Sequence, residues 1–127
     1  LGSQSVLIVH GEDGLDEITL TGRTFVVSLG HGTITESEID PRDLGLVLCK
    51  PEDLRGRDAS WNATLLKGLL EGYESPLRDA VLLNAAAALV VSGRTKDLQE
   101  GLTIAERSVD QGKAYQAMKD LVRVSQR

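Results

Sequence analysis

The 127-residue sequence has a single cysteine, Cys49. One thiol excludes an internal disulfide and any cysteine-rich zinc site, and it fits a reducing, cytoplasmic setting. Aromatic residues make up 3% of the chain, so aliphatic side chains must fill the core. No apolar run reaches the ~18 residues that a membrane-spanning helix requires, and the chain does not open on a basic-then-apolar leader. Basic residues are outnumbered, 14 Lys and Arg against 19 Asp and Glu, for a net charge of −5. A surface that neutralises phosphates needs a basic stripe, so the charge balance argues against a nucleic-acid partner. Internal repeats and low-complexity linkers are missing as well. The length allows one domain at most.

Against these absences, one stretch concentrates the chemistry. The apolar run Val6-Leu7-Ile8-Val9 leads into His10-Gly11-Glu12-Asp13-Gly14-Leu15-Asp16-Glu17, where four carboxylates fall within six positions. Val6 to Val9 are apolar on both faces of a pleat, as in a strand of a parallel sheet covered by helices on both sides. Open α/β sheets place ligands beyond the carboxyl ends of such strands. Ile18 and Leu20 alternate with Thr19 and Thr21, which suggests a short second extended piece. Thr24 to Leu29 and Thr33 to Ile39, joined by Gly30-His31-Gly32, read as a hairpin whose polar second strand lies at an exposed edge.

The period then becomes helical. Asp40-Pro41 opens a short turn through Leu44, and Pro51 to Leu54 form another. Asp58 caps a helix with Trp61, Leu65, Leu66, Leu69 and Leu70 on one face, stopped at Gly72. Ser75-Pro76 restarts a helix running to about Val91, apolar nearly all round and therefore central. Thr95 is expected to cap a third helix carrying Leu98, Leu102, Ala105 and Val109. After Gly112 a fourth amphipathic helix carries Ala114, Tyr115, Met118, Leu121 and Val122. The pattern is α/β: one buried strand, an edge hairpin and about four helices. A doubly covered strand needs parallel neighbours, and no later stretch supplies one convincingly. With Leu1-Gly2-Ser3 opening close to that strand, the chain reads as starting in mid-protein.

Asp16 and Glu17, adjacent carboxylates after a glycine turn, can share a hard cation. Mg²⁺ takes one or two protein carboxylates and fills its remaining positions with water and substrate phosphate oxygens. A solvated acidic turn is the plainer reading of the same residues. His10, at the end of the strand, either meets a phosphate or carboxylate or simply finishes the strand. Glu12 and Asp13 shape the loop, and Gly11 and Gly14 permit its backbone. His31 reads as a solvated hairpin tip. Asn84 and Asn62 read as structural hydrogen-bonding groups in their helices. Cys49, without an activating partner, reads as inert, and Lys50, Arg55 and Arg57 form a small basic patch that reads as solvated loop. No nucleophile sits with a base, and Gly30-His31-Gly32 does not open a helix, so it is not a dinucleotide fingerprint.

The stretch from Val9 to Glu17 resembles the acidic-loop signature of the anthranilate phosphoribosyltransferases. Arg78-Asp79-Ala80-Val81-Leu82-Leu83-Asn84-Ala85-Ala86-Ala87-Ala88-Leu89 is similar to that family's long buried helix. Gly56 to Ala63 resembles a third motif, with departures at Arg57, Ser60 and Trp61, and Arg23 stands where proline is common. The resemblance implies a phosphoribosyltransferase or nucleoside phosphorylase-type architecture, a small helical domain beside a larger α/β domain. It implies Mg²⁺-dependent transfer of phosphoribose from phosphoribosyl pyrophosphate to anthranilate in tryptophan biosynthesis. By this likeness Asp16 and Glu17 match the paired carboxylates that hold metal. Residues 1–127 would then be the C-terminal part of the α/β catalytic domain. The pyrophosphate loop, the anthranilate contacts and the helical dimerisation domain would lie upstream, and the chain alone is expected to be inactive. The competing expectations are a non-catalytic piece that oligomerises or associates with an upstream segment, and a relative that binds a nucleoside or nucleic acid.

Overall fold

The computed structural model describes residues 2–126, so the opening Leu1 lies outside the described residues. Three strands form one antiparallel sheet in the order β1 (Ser5–Gly11), β2 (Thr24–Gly30), β3 (Thr33–Ile39). The β2–β3 hairpin turns on His31 and Gly32, both with positive φ, 50° and 77°. That pair of angles suits a two-residue turn matched to the right-handed twist of its strands, and the second position favours glycine. β3 is exposed along most of its length and carries Glu36 and Glu38, the charged edge expected from its sequence.

Register decides the two faces of the sheet. Val9 opposes Val26 and Gly11 opposes Thr24, and Thr24 in turn opposes Ile39. These residues face the core, where Val26 and Thr24 are buried. Ile8 opposes Val27 and His10 opposes Phe25 on the outer face, where Ile8 is 63% and Phe25 50% exposed.

Four helices follow two single-turn 3-10 segments, Pro41–Leu44 and Pro51–Leu54. They are α1 (Ala59–Leu70), α2 (Pro76–Val91), α3 (Leu98–Asp110) and α4 (Lys113–Ser125). Asp58 accepts from the Trp61 amide and Ser75 from the Arg78 amide, so both helix starts are the ones the sequence marks. α2 and α3 pack closely, with Leu82, Leu83, Ala86 and Ala87 buried on one and Leu102, Ala105 and Val109 on the other. Gly101 lets them meet, because a Cβ there would lie 2.9 Å from the Ala86 carbonyl oxygen. Arg78 Nη2 donates to Asp110 Oδ1 at 2.8 Å and ties the start of α2 to the end of α3.

Several expectations change. β1 is not covered on both faces by this chain: its neighbour among the described residues is antiparallel β2, and its outer face is open. Apolar composition on both sides of a pleat shows which residues are suited to burial, not which are buried here. The stretch around Ile18 and Leu20 is no strand, yet both side chains are within 2% of full burial. Its backbone is satisfied from three directions: Asn84 at Ile18, Thr24 Oγ1 accepting from the Thr19 amide, and the Cys49 amide donating to the Leu20 carbonyl. Asp97, not Thr95, caps α3, accepting from the Glu100 amide at 2.8 Å. Thr95 is buried with its hydroxyl unpartnered. Of the expected α1 face, only Leu69 and Leu70 are buried, while Trp61 is 42% exposed and lies under the Arg57 guanidinium. Among the described residues no helix is long and apolar enough to cross a membrane.

Candidate functional site

The acidic loop leaves β1 at Gly11 and folds back on itself. The Gly11 amide donates to the Leu15 carbonyl at 2.8 Å and the Gly14 amide to the Gly11 carbonyl at 2.9 Å. Gly14 has φ 91°, which favours glycine, and a Cβ at Gly11 would collide with Asp13 and Thr19. Asp13 is the hub. One of its oxygens accepts from the hydroxyls of Thr19 at 2.7 Å and Thr21 at 2.6 Å, and the other accepts from the Leu15 amide. Burial pushes the Asp13 carboxyl up, but the hydrogen bonds from Thr21, Thr19 and Leu15 outweigh it, and the group sits below its ordinary value. Glu12 accepts from the Arg23 amide, and its own amide donates to the Arg23 carbonyl. The first two carboxylates of the loop therefore hold the loop together.

Asp16 and Glu17 do no such work. Both are exposed. The hydrogen bonds of the loop run through Glu12 and Asp13 and leave these two side chains without a partner among the described residues. They stand on the rim of a cleft of about 350 Å³ whose other walls are Leu15, Ile18, Leu54 and, from α2, Leu77, Ala80, Val81 and Asn84. Among the described residues no three His, Cys, Asp or Glu side chains gather as a closed metal site. The donor set is thus two hard oxygen ligands on an open rim. That fits a Mg²⁺ ion completed by water and phosphate oxygens, and it does not fit a metal held by the protein alone.

The remaining candidates sit elsewhere. His10 lies on the outer sheet face opposite Phe25, and no hydrogen bond or ion pair brings it to Asp16 or Glu17 among the described residues. His31 is exposed at the hairpin tip. Lys50, Arg55 and Arg57 are all exposed, and Arg57 stacks 4.5 Å over the Trp61 ring. Cys49 is half-buried, and burial with the nearby Asp53 charge pushes its thiol up, away from the reactive thiolate. Asn62 clasps the Arg57 backbone, accepting from its amide at 2.8 Å and donating to its carbonyl at 3.3 Å. Thr19 and Thr21 escape a reading for function. Their spacing of two, which sets both hydroxyls toward one carboxylate, was the available signal.

Residues 1–115 match the glycosyl transferase family, a/b domain. The anthranilate phosphoribosyltransferase of Bradyrhizobium sp. strain ORS 278 is 54% identical over 125 residues, 98% of this chain and 37% of the relative. That of Methylobacterium nodulans is also 54% identical, with the same coverage. The chain thus spans little more than a third of the length of these curated relatives. In solved structures the same backbone recurs. Anthranilate phosphoribosyltransferase from Thermus thermophilus superposes with a TM-score of 0.84 at 37% identity, over 94% of this chain and 35% of that one. The Saccharomyces cerevisiae enzyme in complex with PRPP and Mg gives 0.80 at 27% identity, over 89% of this chain and 33% of that one. Sequence over nearly the whole chain and backbone course agree: the chain belongs to the glycosyl transferase family, a/b domain, and is similar to part of the anthranilate phosphoribosyltransferases.

Proposed function

We propose that this chain supplies the acidic, metal-facing loop of an anthranilate phosphoribosyltransferase, as part of an α/β domain whose other substrate-holding segments lie outside it. The observation that carries the reading is the division among the four loop carboxylates. Glu12 and Asp13 fix the loop, and Asp16 and Glu17 are presented unpaired beside a cleft. The yeast relative described with PRPP and Mg supports the substrate class. In the reaction the C1–O bond to pyrophosphate breaks, the C1–N bond to the amine of anthranilate forms, and the amine proton leaves to solvent. Bound Mg²⁺ would supply positive charge that stabilises the departing pyrophosphate. The work of this chain is to hold Asp16 and Glu17 as oxygen ligands on a loop braced by the hydrogen bonds of Glu12 and Asp13. No general base is asked of it, because the arylamine is already a nucleophile. Well-oriented reactants account for about 7–11 kcal/mol of a barrier, and a chain lacking the other substrate loops forgoes that term.

The test is steady-state kinetics on the full-length protein. Asp16→Asn and Glu17→Gln should each lower kcat/KM for phosphoribosyl pyrophosphate by about a hundredfold or more, the scale of a lost charge-stabilising contact, with circular dichroism unchanged. Parent-like kinetics in both would overturn the assignment. Residues 1–127 alone should show no turnover, and measurable turnover would overturn the partial-domain reading. A second reading, a non-catalytic association domain, draws on the outer sheet face, where Ile8, Phe25 and Ile34 are 63%, 50% and 70% exposed. Light scattering that shows the isolated chain to be monomeric, also when mixed with the upstream segment, would remove it.

A further inference from the structure

Asn84 stands in the middle of α2, otherwise apolar through Ala85, Ala86, Ala87 and Ala88. Its carboxamide engages one residue of the loop as a neighbouring strand would. Oδ1 accepts from the Ile18 amide at 3.0 Å, and Nδ2 donates to the Ile18 carbonyl at 2.8 Å. The second Nδ2 proton goes to the Ala80 carbonyl one turn back, at 2.9 Å, which locks the rotamer. The Ile18 amide belongs to the peptide unit that leaves Glu17. Holding it fixes the backbone torsion that aims the Glu17 side chain and, through one further residue, that of Asp16.

We propose that Asn84 is a positioning residue for the acidic pair, anchoring the C-terminal end of the loop to α2 while Asp13 fixes its N-terminal part. The inference rests on the metal-facing role of Asp16 and Glu17 proposed above. One feature separates this bond from ordinary core packing. Asn84 borders the cleft of about 350 Å³ beside the acidic pair and, on its other side, one of about 340 Å³ lined by Leu7, Val9 and Ala87. Water entering from either side can replace the lost hydrogen bonds, so truncation frees the loop without leaving buried polar groups orphaned. The molecule also carries its own control. Asn62 makes the same two-bond clasp on Arg57, on the loop before α1.

The experiment compares Asn84→Ala with Asn62→Ala and Asp16→Asn. In the full-length protein, amide exchange at Ile18 should quicken by about tenfold or more in Asn84→Ala, the scale of one to two net hydrogen bonds, and stay unchanged in Asn62→Ala. In the full-length enzyme, Asn84→Ala should raise the Mg²⁺ concentration for half-maximal rate by about tenfold. The rate at saturating Mg²⁺ should stay within about threefold of the parent, and the KM for anthranilate should not move. Asn62→Ala should lower Tm comparably and leave the Mg²⁺ dependence alone. Unchanged exchange at Ile18, or faster exchange with an unmoved Mg²⁺ requirement while Asp16→Asn shifts it, overturns the positioning role alone. If Asp16→Asn itself leaves the Mg²⁺ requirement unchanged, the metal-facing reading falls and this inference falls with it. Should Asn84→Ala fold poorly, Asn84→Ser, which keeps a hydroxyl but cannot span the clasp, is put through the same measurements.

Discussion

Replacing Gly101 by alanine should destabilise the protein, although alanine is the better helix former. Gly101 lies in α3, where glycine costs about 1 kcal/mol relative to alanine. On an open helix face the substitution would recover most of that. Here an added Cβ meets Ala86 of α2 at three points: its Cβ at 2.9 Å, its carbonyl oxygen at 2.9 Å and its Cα at 3.0 Å. Carbon–carbon contacts are comfortable at about 3.5–4.0 Å, so α2 and α3 must separate by roughly half an ångström or more. Two of the three contacts are backbone atoms inside a helix and cannot swing aside. Overpacking of this kind costs about 1–3 kcal/mol. After the propensity gain, a net loss of about 0–2 kcal/mol is expected in urea unfolding followed by circular dichroism. Gly68→Ala provides the contrast. In α1 its Cβ would meet only the Tyr73 ring, at 3.3 Å, and that ring is 70% exposed and free to move. Gly68→Ala should therefore stabilise by about 0.5–1 kcal/mol. Adding Ala86→Gly to Gly101→Ala should rescue little, because it removes one of the three contacts. A Gly101→Ala protein more stable than the parent, by the propensity gain of about 1 kcal/mol, would refute the close helix contact.

Three more outcomes follow from the caps and charges. Asp97→Ala should cost about 1 kcal/mol of stability through the lost bond to the Glu100 amide, whereas Thr95→Val, removing a buried hydroxyl without a partner, should be neutral or stabilising. Reversed results in thermal unfolding would return the cap to Thr95. Hydrogen bonds from the Arg42 side chain and amide hold the Asp40 carboxyl well below the usual carboxylate range. Its contribution to stability is therefore present above the unfolded-state pKa of ~3.9 and is lost as pH falls toward the lower folded value. Asp40→Asn should flatten that acid limb in a series of unfolding curves, and an unaltered limb would count against the pairing. Cys49, with its thiol pushed up first by burial, should react with a disulfide reagent more slowly in the folded protein than after denaturation; equal rates would show that the site is open.

Features that depend on residues a few positions apart were legible in the sequence. The hairpin is set by glycines around His31 and flanking β-formers. The starts of α1 and α2 are set by Asp58 and Ser75, whose side chains reach amides three residues on. The acidic loop and its family resemblance are likewise local. Local sequence does not settle the α3 start, because Thr95 and Asp97 are both capable caps and only packing decides that Thr95 turns inward. Apolar content on both faces of β1 could not reveal that its neighbour in this chain is antiparallel.

Local residue patterns suffice to specify a strand leading into a glycine-bounded loop with four carboxylates, and helices with defined starts after it. Tertiary structure decided which carboxylates are free. Asp13 becomes a structural hub because Thr19 and Thr21 return to it, and Asp16 and Glu17 stay available because Asn84, 66 residues further on, grips the Ile18 backbone beside them. A hydrogen bond to a residue that distant depends on how α2 packs beneath the loop, and no local pattern encodes that geometry.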